Sequence, residues 1–258
     1  MNQVISGVLL DIDGVLYVQN APIEGAAETV SFLQKHRIPF LCISNTTRKS
    51  RASIAAKLQS FGISVSADHI LTPAVAAASY LQSEGISDCL LLTTGDVEED
   101  VTAAGITLEN SDPAAVVVGD AGDDFSYQGL THAFRALLDG AAYLALEHDS
   151  YWMDTDGLSL SAGPFVAALE YASGVPATVI GKPSPAFFRQ ALEALGTVPE
   201  ETMMVGDDIR TDVKGAQDVG IIGVQVKTGK YRNGLAEELG IVPDESIASI
   251  ADLPLLLK

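Results

Sequence analysis

Two aspartates stand at the end of the first apolar run of this sequence. Asp11 and Asp13 lie in the segment LDIDG, and because side chains alternate along an extended chain, the two carboxylates are expected on the same face. The carboxyl ends of buried strands are where open α/β sheets bind ligands. The pair therefore indicates catalysis or metal binding, whereas the alternative of a turn and a helix cap leaves the two charges unexplained.

A second acidic group ends a later apolar run. Asp207 and Asp208 follow the segment MMVG, and Asp212 lies near the start of the next predicted helix. If these carboxylates converge with the first pair, like charges about 4 Å apart repel by on the order of 4 kcal/mol at an effective dielectric of about 20. Such a cluster requires a cation, and a donor set made of oxygens alone favours Mg²⁺.

Hydrogen-bond donors stand at the ends of two other apolar runs. Ser44 and Asn45 come at the end of FLCIS, and Lys182 lies in GKP directly after TVI. A hydroxyl, backbone N–H groups and an ammonium supply the donors and the positive charge that a phosphoryl group needs in an acidic protein. Each of these signals alone is typical of an ordinary loop. Four such strand ends in this order predict one site that handles a phosphoryl group.

The elements that must position these residues follow a repeating β-α pattern. Short runs rich in Val, Ile and Leu alternate with helix-like stretches along the whole chain, which is typical of a parallel sheet covered by helices on both faces. We therefore predict an α/β fold with a doubly wound parallel sheet. The predicted strands are 4–12, 39–44, 89–93, 115–118, 143–146, 178–180, 203–205 and 221–226, and two predicted helices are 26–35 and 186–195.

Composition narrows the class of protein. Of the 258 residues, 47% are hydrophobic and 19% are charged, as in a globular protein rather than a disordered one. The net charge of −19 repels nucleic acid and anionic lipid, so neither is an expected partner. No apolar run reaches the length of about 18 residues that a membrane span needs, and the first residues lack a basic secretory leader. We expect no membrane contact and a cytoplasmic location.

The four segments together resemble the motifs of a known superfamily. In order, DIDG, SN, GKP and GDD followed by Asp212 are similar to the four motifs of the haloacid dehalogenase (HAD) superfamily, and the resemblance spans essentially the whole chain. SNTTRKS, GPFVAALEYA, VIGKPSPAFF, GDDIRTDVKGAQDVG and VKTGKYR look closest to the NagD-like branch, and within it to the phospholysine phosphohistidine inorganic pyrophosphate phosphatase group. The resemblance implies a HAD-like Rossmannoid core and a Mg²⁺-dependent phosphatase that forms an aspartyl-phosphate intermediate on small phosphate monoesters.

The resemblance also implies the central roles. Asp11 would be the nucleophile and a metal ligand, and Asp13 the general acid and base, with its backbone carbonyl on the metal. Lys182 would be a catalytic and phosphate-binding residue, Ser44 a second phosphate ligand and Asp207 a metal ligand. These types suit the chemistry, since an aspartate is already anionic at pH 7 and Mg²⁺ offsets its repulsion from the phosphate.

Five further residues are assigned less central roles by the same resemblance. Asp208 and Asp212 would support the metal and the lysine. Gly14 and Asn45 would let backbone N–H groups approach the phosphoryl group, with simple turn residues as the alternative. Arg48 would reach the substrate, unless it is a solvated arginine at the start of a helix.

A long insert lies between the SN and GKP segments. Residues 77–176 carry their own β-α alternation, and their size and position imply a C2-type cap domain for substrate specificity, with 1–76 and 177–258 as the catalytic core. Caps of this kind close over the site and exclude water. The loops 119–124 and 148–157 are candidate specificity loops. The first is acidic and would suit a cationic leaving group; the second contains the one tryptophan of the chain, which stacks on a leaving group or covers the sheet of the cap.

Several alternatives start from the same residues. HAD dehalogenases lack the second aspartate of DIDG, and phosphomutases of this superfamily usually carry a cap directly after that motif. A response-regulator receiver is about half this length and has no insert. A catalytically silent protein that binds a phosphorylated ligand would be expected to have lost a motif residue. Hydrolysis is therefore preferred, with a small phosphorylated metabolite as the partner and a homodimer through the cap as the assembly that the family suggests.

Overall fold

Two compact units make up the chain. The computed structural model describes residues 4–109, 111–153 and 157–257, so that 154–156 of the predicted specificity loop lie outside the described residues. Unit 1 comprises Met1–Ser44, Ala52–Leu71 and Lys182–Lys258, and unit 2 comprises Asn45–Arg51 and Thr72–Gly181. Among the described residues, no helix combines the length and the apolarity that a membrane crossing requires.

Short strands form the sheets of both units. In chain order, the strands are β1 (Gly7–Asp11), β2 (Tyr17–Val18), β3 (Ala21–Pro22), β4 (Phe40–Ile43), β5 (Ile70–Leu71), β6 (Asp88–Leu92), β7 (Thr107–Leu108), β8 (Ala115–Val118), β9 (Ala142–Ala145), β10 (Tyr151–Met153), β11 (Leu158–Leu160), β12 (Thr178–Val179), β13 (Thr202–Gly206), β14 (Ile222–Val226) and β15 (Glu245–Ile247). The long apolar runs of the sequence coincide with the strands at the centre of each sheet.

Helices connect most of these strands. In chain order, the α-helices are α1 (Ala26–His36), α2 (Arg51–Ser60), α3 (Pro73–Ser83), α4 (Glu98–Ala103), α5 (Tyr127–Leu138), α6 (Gly163–Ser173), α7 (Pro185–Leu195), α8 (Gly215–Gln217), α9 (Leu235–Leu239) and α10 (Leu253–Leu256). Turns of 3₁₀ helix lie at Ala67–His69, Gly122–Asp124, Pro199–Glu201 and Ile250–Asp252, and a π-helical turn at Ile209–Lys214 precedes α8. Short π-helical turns are frequent at functional sites.

The sheet of unit 1 is parallel, and successive strands are added on one side of β1 first and on its other side later in the chain. Within the described residues its strand order is β15-β14-β13-β1-β4-β5. Leu10 is opposite Val205 of β13 on one side and Cys42 of β4 on the other. The chain therefore builds outward from β1 in both directions, and in doubly wound sheets ligands bind at the carboxyl ends of the strands around such a switch point.

Helices cover both faces of this sheet. Val8 and Leu10 pack in one cluster with Leu33 of α1 and Leu58 of α2, all of them fully buried, and each buried leucine contributes about 1.5–3 kcal/mol of hydrophobic free energy. A second layer is formed by α7, which contacts β4 and α8 and buries Phe188. The predicted α/β class and doubly wound sheet are confirmed.

Unit 2 has its own parallel sheet. Of the residues described, five strands take part, in the order β12-β9-β8-β6-β7, and Val116 and Val118 pack against Val166 of α6 in a separate core. The strand β12, which contains two residues of TVI, pairs with β9 at the edge of this sheet. The sequence placed that strand in the catalytic core, but its hydrogen-bond partners lie in unit 2.

The segment directly after β4 also belongs to unit 2. The hydroxyl oxygen of Thr47 accepts a hydrogen bond of 2.9 Å from the Asp120 backbone N–H, and both the N–H and the hydroxyl of Ser50 donate to Asp96. The chain thus changes unit after Ser44 and again after residue 51. The assignment of a catalytic core and a specificity cap to 1–76, 177–258 and 77–176 stays a prediction.

Candidate active site

Asp11 and Lys182 form the centre of a buried cluster in unit 1. Asp11 is the last residue of β1, and its carboxylate oxygen Oδ1 accepts a hydrogen bond of 2.6 Å from Lys182 Nζ. The same ammonium donates to Asp212 Oδ1 over 2.7 Å. All three side chains are buried, so the two carboxylates and the ammonium depend on one another for counter-charge.

Asp207 and Asp212 reach the cluster from the end of β13. One carboxylate oxygen each of Asp11, Asp207 and Asp212 lies within 4.8 Å of the others. Asp212 belongs to the π-helical turn, and its Oδ2 accepts a hydrogen bond of 3.1 Å from the Asp208 N–H. Gly206 is needed beside it, because a Cβ at that position would overlap the Asp212 side chain.

The cluster is short of positive charge. Burial, together with the nearby Asp212 and Asp207, raises the pKa of Asp11 above its ordinary value, and Lys182 opposes that shift. Burial and the Asp212 carboxylate also raise the pKa of Asp207 to about 6. Although burial works against it, the two carboxylates in contact with Lys182 raise its pKa, so that the lysine stays charged.

These residues fit a divalent metal ion. Three buried carboxylates face one ammonium, and their converging oxygens are the hard donors that Mg²⁺, Ca²⁺ or Mn²⁺ prefers. A cation would offset both the burial of these charges and the repulsion between them, which together raise the pKa values of Asp11 and Asp207. The geometry therefore agrees with the metal site that the sequence predicts at this sheet edge.

Asp13 and Gly14 lie in the turn after β1. Asp13 is exposed, and its Oδ2 accepts a hydrogen bond of 3.3 Å from the Tyr17 hydroxyl. Gly14 has φ = +88°, and a Cβ there would overlap Asp207 Oδ2. The Gly14 N–H donates to the Tyr17 carbonyl, which is the arrangement of the turn alternative, while a contact between Gly14 and substrate stays a prediction.

The predicted phosphate-binding residues divide between the units. Ser44 follows β4, is buried, and donates its N–H to the Leu71 carbonyl within unit 1. Asn45 and Arg48 belong to unit 2. Arg48 Nε lies 3.1 Å from Asp120 Oδ2, an ion pair without the angle of a hydrogen bond, so Arg48 is not the freely solvated arginine of the alternative interpretation.

Two of the predicted specificity residues also contact Arg48 or lie near it. Its guanidinium is 5.8 Å from the centre of the Trp152 ring, and Trp152 is 36% exposed. Asp120 is buried and its Oδ1 accepts a hydrogen bond from the Gly122 N–H. Asp120 is thus engaged within unit 2, which weakens its assignment as a selector of cationic leaving groups.

Sequence reasoning missed the loop after β14. The Lys230 N–H donates a hydrogen bond of 2.6 Å to Asp207 Oδ2, and the Thr228 hydroxyl donates to the Gly14 carbonyl. The Lys230 ammonium lies 3.6 Å from Asp208 Oδ2. The available signal was position: these residues follow an apolar run whose strand pairs with β13, at the edge that carries the acids.

Comparison with known proteins identifies the family of this chain. A family model described as haloacid dehalogenase-like hydrolase matches residues 8–107, and one described as HAD-hydrolase-like matches residues 179–253. The human haloacid dehalogenase-like hydrolase domain-containing protein 2 is 41% identical over 239 residues, which cover 93% of this chain and 90% of the relative.

Two further matches bear on the branch of the family. Human phospholysine phosphohistidine inorganic pyrophosphate phosphatase is 38% identical over 261 residues, covering 98% of this chain and 95% of the relative. The structure of NagD from E. coli K-12 superimposes with a TM-score of 0.88 at 26% identity, covering 96% of this chain and 98% of that one. The chain therefore belongs to the haloacid dehalogenase-like hydrolases and, within them, to the NagD-like phosphatases that its motifs resemble.

Proposed function

We propose that this phosphoric monoester hydrolase uses Mg²⁺ and a covalent phosphate on Asp11 to hydrolyse small phosphorylated metabolites. One observation carries the proposal: Lys182 lies 2.6 Å from Asp11 and 2.7 Å from Asp212, inside a buried group of carboxylates that needs a cation. A buried lysine that fixes one carboxylate while the others converge is what an attack on a phosphate dianion requires.

In the first half-reaction, the Asp11 carboxylate attacks phosphorus. A bond forms between an Asp11 oxygen and phosphorus, the bond from phosphorus to the leaving oxygen breaks, and the Asp13 carboxyl gives that oxygen its proton. Lys182 and Ser44 hold the phosphoryl oxygens. Asp13 is exposed, so it can exchange protons with solvent.

In the second half-reaction, water replaces Asp11 on phosphorus. Asp13, now a carboxylate, takes a proton from the attacking water, and the bond between phosphorus and Asp11 breaks. Inorganic phosphate leaves, and Asp11 returns to its starting state with Lys182 on Oδ1. The two half-reactions together consume one water for each monoester.

The proposed metal ligands are those that the family resemblance implies. Asp11, Asp207 and the backbone carbonyl of Asp13 would hold Mg²⁺, which supplies positive charge between the nucleophile and the phosphate. Asp212 orients Lys182 through its 2.7 Å hydrogen bond. Asp208 supports the turn, since its side chain accepts hydrogen bonds from the backbone N–H groups of residues 210 and 211.

In this proposal, the insert selects the leaving group of the substrate. We take 77–176 as the specificity cap, and Asn45, Arg48 and Gly14 as further substrate-binding residues. The 38% identical human relative is named for its action on phospholysine, phosphohistidine and inorganic pyrophosphate. This supports testing phosphoramidates and pyrophosphate beside monoesters. A cytoplasmic location and a homodimer through the cap complete the proposal.

The test measures phosphate release from p-nitrophenyl phosphate and a metabolite panel, with Mg²⁺ or with EDTA. We expect turnover with Mg²⁺ only, and a loss of roughly 10³-fold or more in Asp11→Asn, which removes the nucleophile's charge nearly isosterically. Asp68→Asn is the matched control, because Asp68 is an exposed aspartate of unit 1. Turnover that survives in Asp11→Asn would exclude the covalent mechanism, and no turnover by folded wild type on any substrate would favour a binding protein.

A further inference from the structure

We propose that the backbone of residues 228–230, which we call the β14 loop, positions Asp207 for the metal ion. The inference rests on the proposed function, because it takes Asp207 as a metal ligand. It adds an element that the four motifs do not contain. The β14 loop contributes no ligand of its own; it acts on the orientation of a residue that does.

The first contact is a hydrogen bond to the metal-binding carboxylate. The Lys230 N–H donates to Asp207 Oδ2 over 2.6 Å, and the Asp207 side chain is buried. A hydrogen bond from a backbone amide to an ionised carboxylate is short and strong, and it comes from a donor that cannot rotate away. It therefore fixes which oxygen of Asp207 faces the other carboxylates.

The second contact is steric. Gly229 has φ = +58°, and a Cβ at this position would overlap Asp207 Oδ2 and come within 2.5 Å of the Gly14 Cα. Gly14 lies close to the same oxygen, since a Cβ there would also overlap Asp207 Oδ2. The Asp207 carboxylate thus occupies space that two glycines at different strand ends leave open.

The third contact ties these two strand ends together. The Thr228 hydroxyl donates a hydrogen bond to the Gly14 carbonyl, directly after Asp13. One loop therefore touches the turn that follows Asp11 and the carboxylate of Asp207, and it sets the spacing between the acids of β1 and β13. Residues that orient metal ligands in this way typically change metal affinity by about 10- to 100-fold when they are altered.

Gly234 serves as a control for the backbone conformation that Gly229 adopts. Gly234 lies five positions further along and has φ = +82°, yet a Cβ there would have nothing within 4 Å. Alanine at either position meets the same unfavourable left-handed backbone. Only alanine at position 229 would also push on Asp207 and on the Gly14 backbone, so the pair of variants separates these contacts from the cost of the left-handed backbone.

The experiment is Mg²⁺ titration calorimetry on metal-free full-length protein without substrate, comparing wild type, Gly229→Ala and Gly234→Ala. We expect the Mg²⁺ dissociation constant to rise about 10- to 100-fold in Gly229→Ala and to stay within about twofold in Gly234→Ala. Hydrolysis of p-nitrophenyl phosphate by Gly229→Ala should recover as Mg²⁺ is raised. Circular dichroism establishes that each variant folds.

A second variant keeps the test decisive if Gly229→Ala does not fold. Thr228→Val removes the hydroxyl that holds the Gly14 carbonyl and keeps the side-chain shape, and it should weaken Mg²⁺ binding by about 3- to 10-fold. If a folded Gly229→Ala binds Mg²⁺ as tightly as wild type does, the inference is wrong and the proposed function stands. If Gly229→Ala does not fold, the same Mg²⁺ affinity in Thr228→Val has that meaning. Absence of both Mg²⁺ binding and hydrolysis in wild type would instead overturn the proposed function and the inference with it.

Discussion

Lys182 Nζ donates a 2.6 Å hydrogen bond to Asp11 Oδ1, although 171 positions separate the two residues in the chain. The same ammonium lies 2.7 Å from Asp212 Oδ1, and all three groups are buried. Two buried carboxylates therefore share one positive charge, and removing that charge leaves both without compensation. We therefore expect the lysine to matter for the folded state of unit 1 as well as for the proposed chemistry.

We expect Lys182→Met to lower the free energy of unfolding by about 3–5 kcal/mol at pH 8 in EDTA, because it strands buried carboxylates. Without the lysine, ionising the buried carboxylates costs more in the folded chain than it does in wild type. Their ionisation then costs stability as the pH rises, so the deficit should shrink toward pH 4. Urea unfolding followed by circular dichroism at several pH values measures both effects.

The matched control for that prediction is Lys214→Met. Lys214 is paired with Asp218 on the surface, with a side chain that is 47% exposed, and we expect it to change the free energy of unfolding by less than about 1 kcal/mol. Equal losses in the two variants, or a deficit in Lys182→Met that does not depend on pH, would contradict the buried-charge argument.

Asp13→Asn should separate the two half-reactions. In the proposed mechanism, p-nitrophenolate leaves without a proton, so Asp11 would still be phosphorylated, whereas the attacking water would have to lose a proton to Asp13. We expect one rapid release of p-nitrophenolate followed by turnover about 10²- to 10⁴-fold slower than wild type. Mass spectrometry of the acid-quenched protein should find one phosphoryl group.

The control for this trapping experiment is the double variant Asp11→Asn with Asp13→Asn. It keeps the second substitution and removes the nucleophile, so it should carry no phosphoryl group. A phosphoryl group in both variants would assign the covalent step to another residue. Wild-type turnover by Asp13→Asn would remove the general acid and base from the mechanism.

The sequence predicted the residues of the cluster better than the elements around them. Asp11 and Asp207 could be grouped because apolar runs end at them and parallel strands carry their ends to one edge, and Asp212 follows Asp207 by five residues. The predicted strand 115–118 coincides with β8. Strands of two residues, such as β5 and β7, were missed because they are too short for a periodic pattern.

Two features depended on contacts that no local pattern contains. Residues 45–51 follow a strand of unit 1, but Thr47 and Ser50 bind partners 73 and 46 positions away in unit 2. The hydrogen bond from the β14 loop to Asp207 comes from the Lys230 backbone N–H, a group that every residue except proline has, so the residue type gives no sign of it. Distant partners and backbone donors become visible only in the folded chain.

From the surroundings of Glu147 we predict that the stability of unit 2 depends on pH. Its carboxylate is buried and accepts hydrogen bonds from Ser161 Oγ over 2.6 Å, the Ala162 N–H over 2.7 Å and the Asp149 N–H. Burial raises the pKa of Glu147 despite these bonds. A carboxyl group with a raised folded pKa favours the fold below the unfolded value of about 4.3, and this stability is lost as the pH rises through the folded pKa.

We therefore expect the free energy of unfolding of wild type to fall with rising pH relative to Glu147→Gln, which carries no titrating group. The glutamine turns one acceptor into a donor facing the Asp149 N–H, so at low pH it should be less stable by about 1–3 kcal/mol. That gap should narrow as the pH rises.

Urea unfolding followed by the fluorescence of Trp152, the one tryptophan of the chain, reports on unit 2. Glu84→Gln, at an exposed position of the same unit, should follow the pH dependence of wild type. Parallel curves for wild type and Glu147→Gln would mean that Glu147 has the same pKa in the folded and unfolded chain, and that its three hydrogen bonds fully offset its burial.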